Sequence, residues 1–189
     1  MNAADIVSAL KQKFGEAVLS TVVAHGEHTL NVTLAQVKNL LSYCRDEMDF
    51  DYLVDISSLD NLGEEPRFEM VYELYGYSHS QHLRVKAKVG EDQSVPTVSD
   101  LWPTADWHER EVYDMMGIDF EGHPDLRRIL MWEGYPFFPL RKDFPLEGKP
   151  SDMPDVAFTG VAPMADGPFV TCSGGDDTIA REPRSRKPI

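Results

Sequence analysis

Arg67–Val89, RFEMVYELYGYSHSQHLRVKAKV, decides the fold of this chain. Both halves, Arg67 to Gly76 and Gln81 to Val89, alternate with period two, the mark of half-buried strands. A turn centred on Ser78-His79 sets Leu74 opposite Leu83, Tyr72 opposite Val85 and Met70 opposite Ala87. The same register places Glu73 against Arg84 and Glu69 against Lys88. One face of the hairpin is then apolar and the other carries opposite charges, each such pair contributing roughly 0.2–1 kcal/mol. A slip of one residue would set Leu74, Tyr72 and Met70 against polar or charged partners, so the register is well specified.

Working outward toward the N-terminus, residues 2–14 carry Ile6, Val7, Leu10 and Phe14 at helical spacing. Ala17 to Val23 and His28 to Val32 are β-rich runs parted by His25-Gly26-Glu27, which suggests a second hairpin. Thr33 suits the N-cap of a helix presenting Leu34, Val37, Leu40, Leu41 and Cys44 on one face. Phe50 to Ile56 reads as another strand, and Asn61 to Pro66 as a loop. With a helix after Pro103, the order is αββαβββα. That is an α+β class, a single domain over residues 1–149 with a mainly antiparallel mixed sheet packed by helices.

Residues 150–189 have a different character. Pro150, Pro154, Pro163, Pro168, Pro183 and Pro188, with Gly160, Gly167, Gly174 and Gly175, predict an extended C-terminal tail. Apolar residues scattered along it, such as Phe158 and Phe169, suit a segment that lies across a partner.

Composition narrows the function. Of 189 residues, 42% are hydrophobic, enough for a proper core. The formal net charge of −14 disfavours nucleic acid and anionic lipid as direct partners. No run approaches the ~18 apolar residues of a spanning helix. The N-terminal MNAADIVSALKQKF has neither signal-peptide nor transit-peptide layout, so a bacterial cytoplasmic chain is expected. Cys44 and Cys172 alone cannot supply the four thiolates of an iron–sulfur cluster or a Cys-rich zinc site. No redox centre and no metal are expected in this chain.

The densest block of charge and aromatics runs from Trp107 to Lys149. Asp106 followed by Glu109 has capping-box spacing, with Asp in the place of Ser or Thr. Val112, Met115 and Met116 form an apolar stripe, and Gly117 can end the helix in a left-handed conformation. A sharper reading makes His108, Glu109, Glu111 and Asp114 metal ligands or acid–base groups. The two-His, four-apart pattern of zinc hydrolases is missing, and the capped amphipathic helix accounts for these residues better. Gly122-His123-Pro124-Asp125 reads as a turn, with Asp125 capping a short segment over 126–130. Arg127, Arg128, Arg141 and Lys142 stand among only one acid, Glu133, between Leu126 and Lys142. They read as a solvated surface or as clamps on carboxylates of a partner or of this chain. Trp132, Tyr135, Phe137, Phe138 and Phe144 on a Pro-stiffened segment have the composition of interface anchors, and equally of a cover for the domain's own core.

WPTADWHEREVYDMMGIDFEGHPDLRRILMWEG at 102–134 and PLRKDFPLEG at 139–148 resemble the two most recognisable motifs of the C-type subunits of the NADH-quinone oxidoreductases, respiratory complex I. The hairpin at 67–89 and REPRS at 181–185 agree with it. Tyr135-Pro136-Phe137-Phe138 lengthens a junction that is shorter in that family. The resemblance implies a non-redox peripheral-arm subunit of a proton-translocating complex, held at the cytoplasmic face of the bacterial inner membrane. It implies docking against a separate D-type subunit near the quinone-reducing module, and a role in assembly. It places FMN, iron–sulfur clusters and quinone in other subunits, with no catalytic or cofactor-binding residue in this chain. On this reading Arg127, Arg128, Trp132, Tyr135, Phe137, Phe138, Arg141, Lys142 and Phe144, with Arg181 and Arg184 of the tail, form the partner interface. Two alternatives are an equivalent subunit of a membrane-bound hydrogenase-type complex and a stand-alone metal-dependent hydrolase using His108, Glu109 and His123.

Overall fold

The structure, a computed structural model, describes residues 3–132 and 134–145. The elements are α1 (Ala3–Phe14), β1 (Val18–Ala24), β2 (Glu27–Val32), α2 (Leu34–Met48), β3 (Tyr52–Asp60), β4 (Phe68–Gly76), β5 (Gln81–Val89), β6 (Val95–Pro96), α3 (Ala105–Met116) and β7 (Phe120–Glu121). The α+β order read from the sequence is borne out, with β6 and β7 as a short addition. The expected tail at 150–189 lies outside the described residues.

Five strands form one sheet in the order β1-β2-β5-β4-β3. All neighbours run antiparallel except β2 and β5, which pair in parallel from His28↔Leu83 to Val32↔Ala87. The parallel joint follows from the connection: α2 carries the chain across the sheet, and the meander β3-β4-β5 returns to β2. α1 packs over β2 and β5, α2 over β5, and α3 along β3. Ile6, Val7 and Leu10 of α1 and Val37, Leu40, Leu41 and Cys44 of α2 are buried, as their spacing predicted. They meet Met70, Tyr72, Leu74, Leu83 and Val85 from the sheet in one core. Each fully buried side chain of this size contributes about 1.5–3 kcal/mol.

The central hairpin has the expected register in every pair named above. Arg84 pairs with Glu73 as expected and also reaches Glu27 on β2 at 3.0 Å. The expected Glu69–Lys88 ion pair is not formed. Although these two Cα atoms are opposed, Glu69 takes Lys86 at 3.0 Å and Lys88 takes Glu64 at 3.1 Å. Diagonal neighbours are within reach of long side chains, so register alone does not fix which charges meet.

Other details differ from the sequence reading. Thr33 occupies the N-cap of α2 in extended conformation, but its side chain makes no capping bond. The third strand starts at Tyr52 rather than Phe50 and runs on to Asp60. Asp49 adopts the left-handed conformation and Phe50 donates its N–H to the Cys44 carbonyl at 3.1 Å, so the helix exit claims both residues. Arg67, expected to open β4, is buried beside it. It donates twice to the Asp60 carboxylate, both contacts at 2.7 Å, and once to Glu91 at 2.5 Å.

Among the described residues neither edge of the sheet has a further strand. The β1 edge, Val-Leu-Ser-Thr-Val-Val-Ala, carries no charge and exposes Leu19, Val22 and Val23. The β3 edge is bulged between Leu53 and Asp55 and then pairs without interruption from Asp55 to Asp60.

The described residues divide into two units, 3–132 with 138–141, and 134–137 with 142–145. The first holds the whole sheet and its helices. Within the second, the Phe137 ring packs edge-on against Tyr135 (centroids 5.7 Å) and tilted against Phe144 (5.8 Å).

Candidate functional site: the carboxylates of α3 and the loop they hold

The charged block is organised by two buried acids on α3. Glu109 and Asp114 are both fully buried, and a buried carboxylate must find donors. The capping box expected from Asp106 and Glu109 does not form. Thr104 is the N-cap and makes no side-chain bond, while Glu109 turns into the core. Glu109 shares a helix face with Val112 and Met116, which fixes its direction. There it accepts the Val98 N–H at 2.7 Å and the Thr97 hydroxyl at 2.5 Å. Burial pushes the Glu109 carboxyl above the usual range, only partly offset by Thr97, Val98, His123 and Lys38.

β6 and β7 position this contact. The Val95 N–H donates to Asp119 at 2.8 Å and the Thr97 N–H to Glu121 at 3.0 Å, which holds the 95–98 loop beside α3. Past β7, His123 inserts a fully buried ring. Its Nδ1 accepts the Asp125 N–H at 3.0 Å, so the ring proton sits on Nε2. Nε2 faces the Asp106 carboxylate at 3.2 Å and Glu109 at 3.8 Å.

Asp114 takes the role expected of Asp125. Its Oδ2 accepts three successive backbone N–H groups, Ile129 at 3.0 Å, Leu130 at 2.6 Å and Met131 at 2.8 Å. Its Oδ1 accepts the Arg128 guanidinium at 2.6 Å. Burial pushes this carboxyl up, but the N–H groups of Met131 and Leu130, Arg128 and the N–H of Ile129 outweigh it and hold it below the usual range. The 126–130 segment is therefore not a helix capped by Asp125. It is an irregular loop gathered around one carboxylate, while Asp125 pairs with Arg127 at the surface at 2.7 Å.

The far end of α3 is closed by Arg141. Gly117 ends the helix at φ +70°, as its sequence position predicted. Arg141 then donates to the Met116 carbonyl at 2.6 Å and to Gly117 at 3.4 Å, a cation at the negative end of the helix. Its guanidinium lies between the rings of Phe68 (5.1 Å) and Phe138 (4.6 Å), and Arg128 stacks on Phe138 as well (5.1 Å). The Leu140 N–H adds a bond to Met115 at 3.1 Å. Residues 138–141 thus form a strap across the helix end.

Residues 30–150 match the model of the respiratory-chain NADH dehydrogenase 30 kDa subunit. The chain belongs to this family. It is 44% identical to the second C-type subunit of the NADH-quinone oxidoreductase of Rhizobium meliloti, over 80% of this chain and 91% of that one. The C-type subunit from Citrifermentans bemidjiense is 43% identical, over 75% of this chain and 89% of its own length. In fold the chain is similar to a chain of the membrane-bound sulfane sulfur reductase, an archaeal respiratory membrane complex. That match has a TM-score of 0.66 and 25% identity, and covers 76% of this chain and 85% of the other.

In this member of the 30 kDa family, the predicted interface residues divide. Arg127, with 70% of its side chain exposed, and Lys142 are at the surface. Arg128 and Arg141 are tied to α3, Arg128 with only 13% of its side chain exposed. Trp132, Phe137, Phe138 and Phe144 are half-buried and Tyr135 is buried. Arg181 and Arg184 lie outside the described residues. Of the hydrolase trio, Glu109 and His123 approach each other, while His108 turns to Asp55 at 3.1 Å. Among the described residues no three His, Cys, Asp or Glu side chains are grouped to hold a metal. The Asp60–Arg67–Glu91 cluster was missed by sequence reasoning. Nothing in the spacing of those three residues links them before the sheet is folded.

Proposed function

We propose that this chain is a non-redox peripheral-arm subunit of a proton-translocating NADH:quinone oxidoreductase. It docks against the D-type subunit near the quinone-reducing module and is needed for assembly of the arm at the cytoplasmic face of the membrane. FMN, iron–sulfur clusters and quinone then belong to other subunits, and the isolated chain is not catalytic. The observation that carries this reading is the arrangement around Asp114. Two of the acids that a catalytic reading would use are enclosed and engaged with the chain's own groups, Asp114 with three amides and Arg128, and Glu109 with Val98 and Thr97. Kinship to relatives named as C-type subunits of NADH-quinone oxidoreductase, at 40–44% identity, favours that parent complex over the sulfane sulfur reductase type at 25%. No helix among the described residues is long and apolar enough to cross a membrane, so association through neighbouring subunits fits.

The test uses the two exposed cations, because Arg128 and Arg141 also hold the fold. Arg127→Glu with Lys142→Glu should reduce recovery of the assembled arm at least tenfold while leaving the melting temperature of the chain unchanged. Full recovery of an active complex in the double variant would overturn the docking role of this block.

A further inference from the structure

A groove runs between the outer edge of β3 and α3. Its floor is made by Ile56, Val112, Met115 and Met116, and Leu140 of the strap forms a lip with 57% of its surface exposed. The cavity measures about 140 Å³, close to the ~150 Å³ known to accept a benzene ring in a protein interior. Along one wall Asp55 to Ser58 present the side of β3 that no strand covers among the described residues. A strand edge beside a helix, with a side-chain pocket between them, is the arrangement by which peptide-binding domains add an extended segment as one more strand. Main-chain bonds to the edge supply affinity, and the pocket selects a side chain.

Charge specifies the occupant. Among the described residues, the groove's charged lining consists of two acids, Asp55 and Glu111. Asp55 already faces His108 Nδ1 at 3.1 Å, whereas Glu111 stands exposed at the rim. A second copy of this chain would bring the same acids against these, in a protein of net charge −14.

We infer that this groove receives an extended segment of a neighbouring subunit, added as a strand to β3. The segment places one large apolar side chain in the pocket and a Lys or Arg within two residues of it, against Glu111. This rests on the reading of the chain as a docked subunit and assigns one of its contacts.

A photo-crosslinking amino acid at Ser57 in the assembled complex, with the full chain present, tests it. The expected product is a crosslink to another subunit at a segment with that apolar-plus-cation pattern. A crosslink to residues 146–189 of this chain, to a second copy, or to a segment without a cation overturns the inference, and so does no crosslink. Independently, Glu111→Lys should lower recovery of the complex about tenfold at an unchanged melting temperature, and Glu111→Gln by much less. Wild-type recovery with Glu111→Lys overturns it as well. A chain that never co-purifies with other subunits removes the subunit reading too. A chain that co-purifies with its groove uncrosslinked removes only this contact.

Discussion

Glu109 and Asp114 sit five positions apart on one helix, and their surroundings drive them in opposite directions. Asp114, held below the usual carboxylate range, contributes stability that is present above the ordinary Asp pKa and is lost as pH falls through the lowered folded value. Asp114→Asn removes the charge that four donors share, and should cost about 2–3 kcal/mol near neutral pH. Urea unfolding measures this, and the gap between the variants should narrow on acidification. Glu109 behaves inversely. Its raised folded pKa means that its contribution is present below the ordinary Glu pKa and is lost as pH rises through the folded value. Glu109→Gln should therefore gain on the wild type over a range that begins near the ordinary Glu pKa and extends upward in pH. Melting temperatures that kept a constant offset across that range would contradict the assignment.

Among the elements, the β4–β5 hairpin was the most legible part of the sequence, because period-two alternation and register are both local properties of 23 consecutive residues. α3 was half legible. Its apolar stripe and the terminating Gly117 follow from spacing, but the direction of Glu109 does not, since Thr97 and Val98 reach it only after β6 has paired with β7. The loop around Asp114 was illegible for the same reason: one carboxylate serves three amides at positions 129, 130 and 131, a relation that no helical or strand period encodes. Gly117 gives this scale its own test. A Cβ there would lie 2.6 Å from the Phe138 ring and 2.8 Å from Arg141, on backbone already at φ +70°. Gly117→Ala should cost about 1–2 kcal/mol for the left-handed conformation alone, with more from displacing the strap. Chemical denaturation would show it, and a neutral result would mean that the strap is not seated on the helix end.

For the whole molecule, the two rims of the sheet are finished in different ways. A bulge between Leu53 and Asp55 bends the β3 rim, and the half-buried Asp55 sets a charge beside it. The β1 rim has neither safeguard beyond its first residues, and from Ser20 to Ala24 it pairs regularly with β2 while holding no charge. Proteins ordinarily protect such rims with Lys, Pro or a bulge, because open amides and carbonyls invite end-to-end growth of sheets. Val22→Lys should therefore raise the concentration at which the purified chain begins to scatter light, without lowering its melting temperature. An unchanged onset would show that the rim is already shielded. No strand among the described residues covers this rim, so copies made in excess of the other subunits would present it to one another. Matched synthesis of the subunits, or prompt proteolysis of the surplus, would limit such pairing through the first strand.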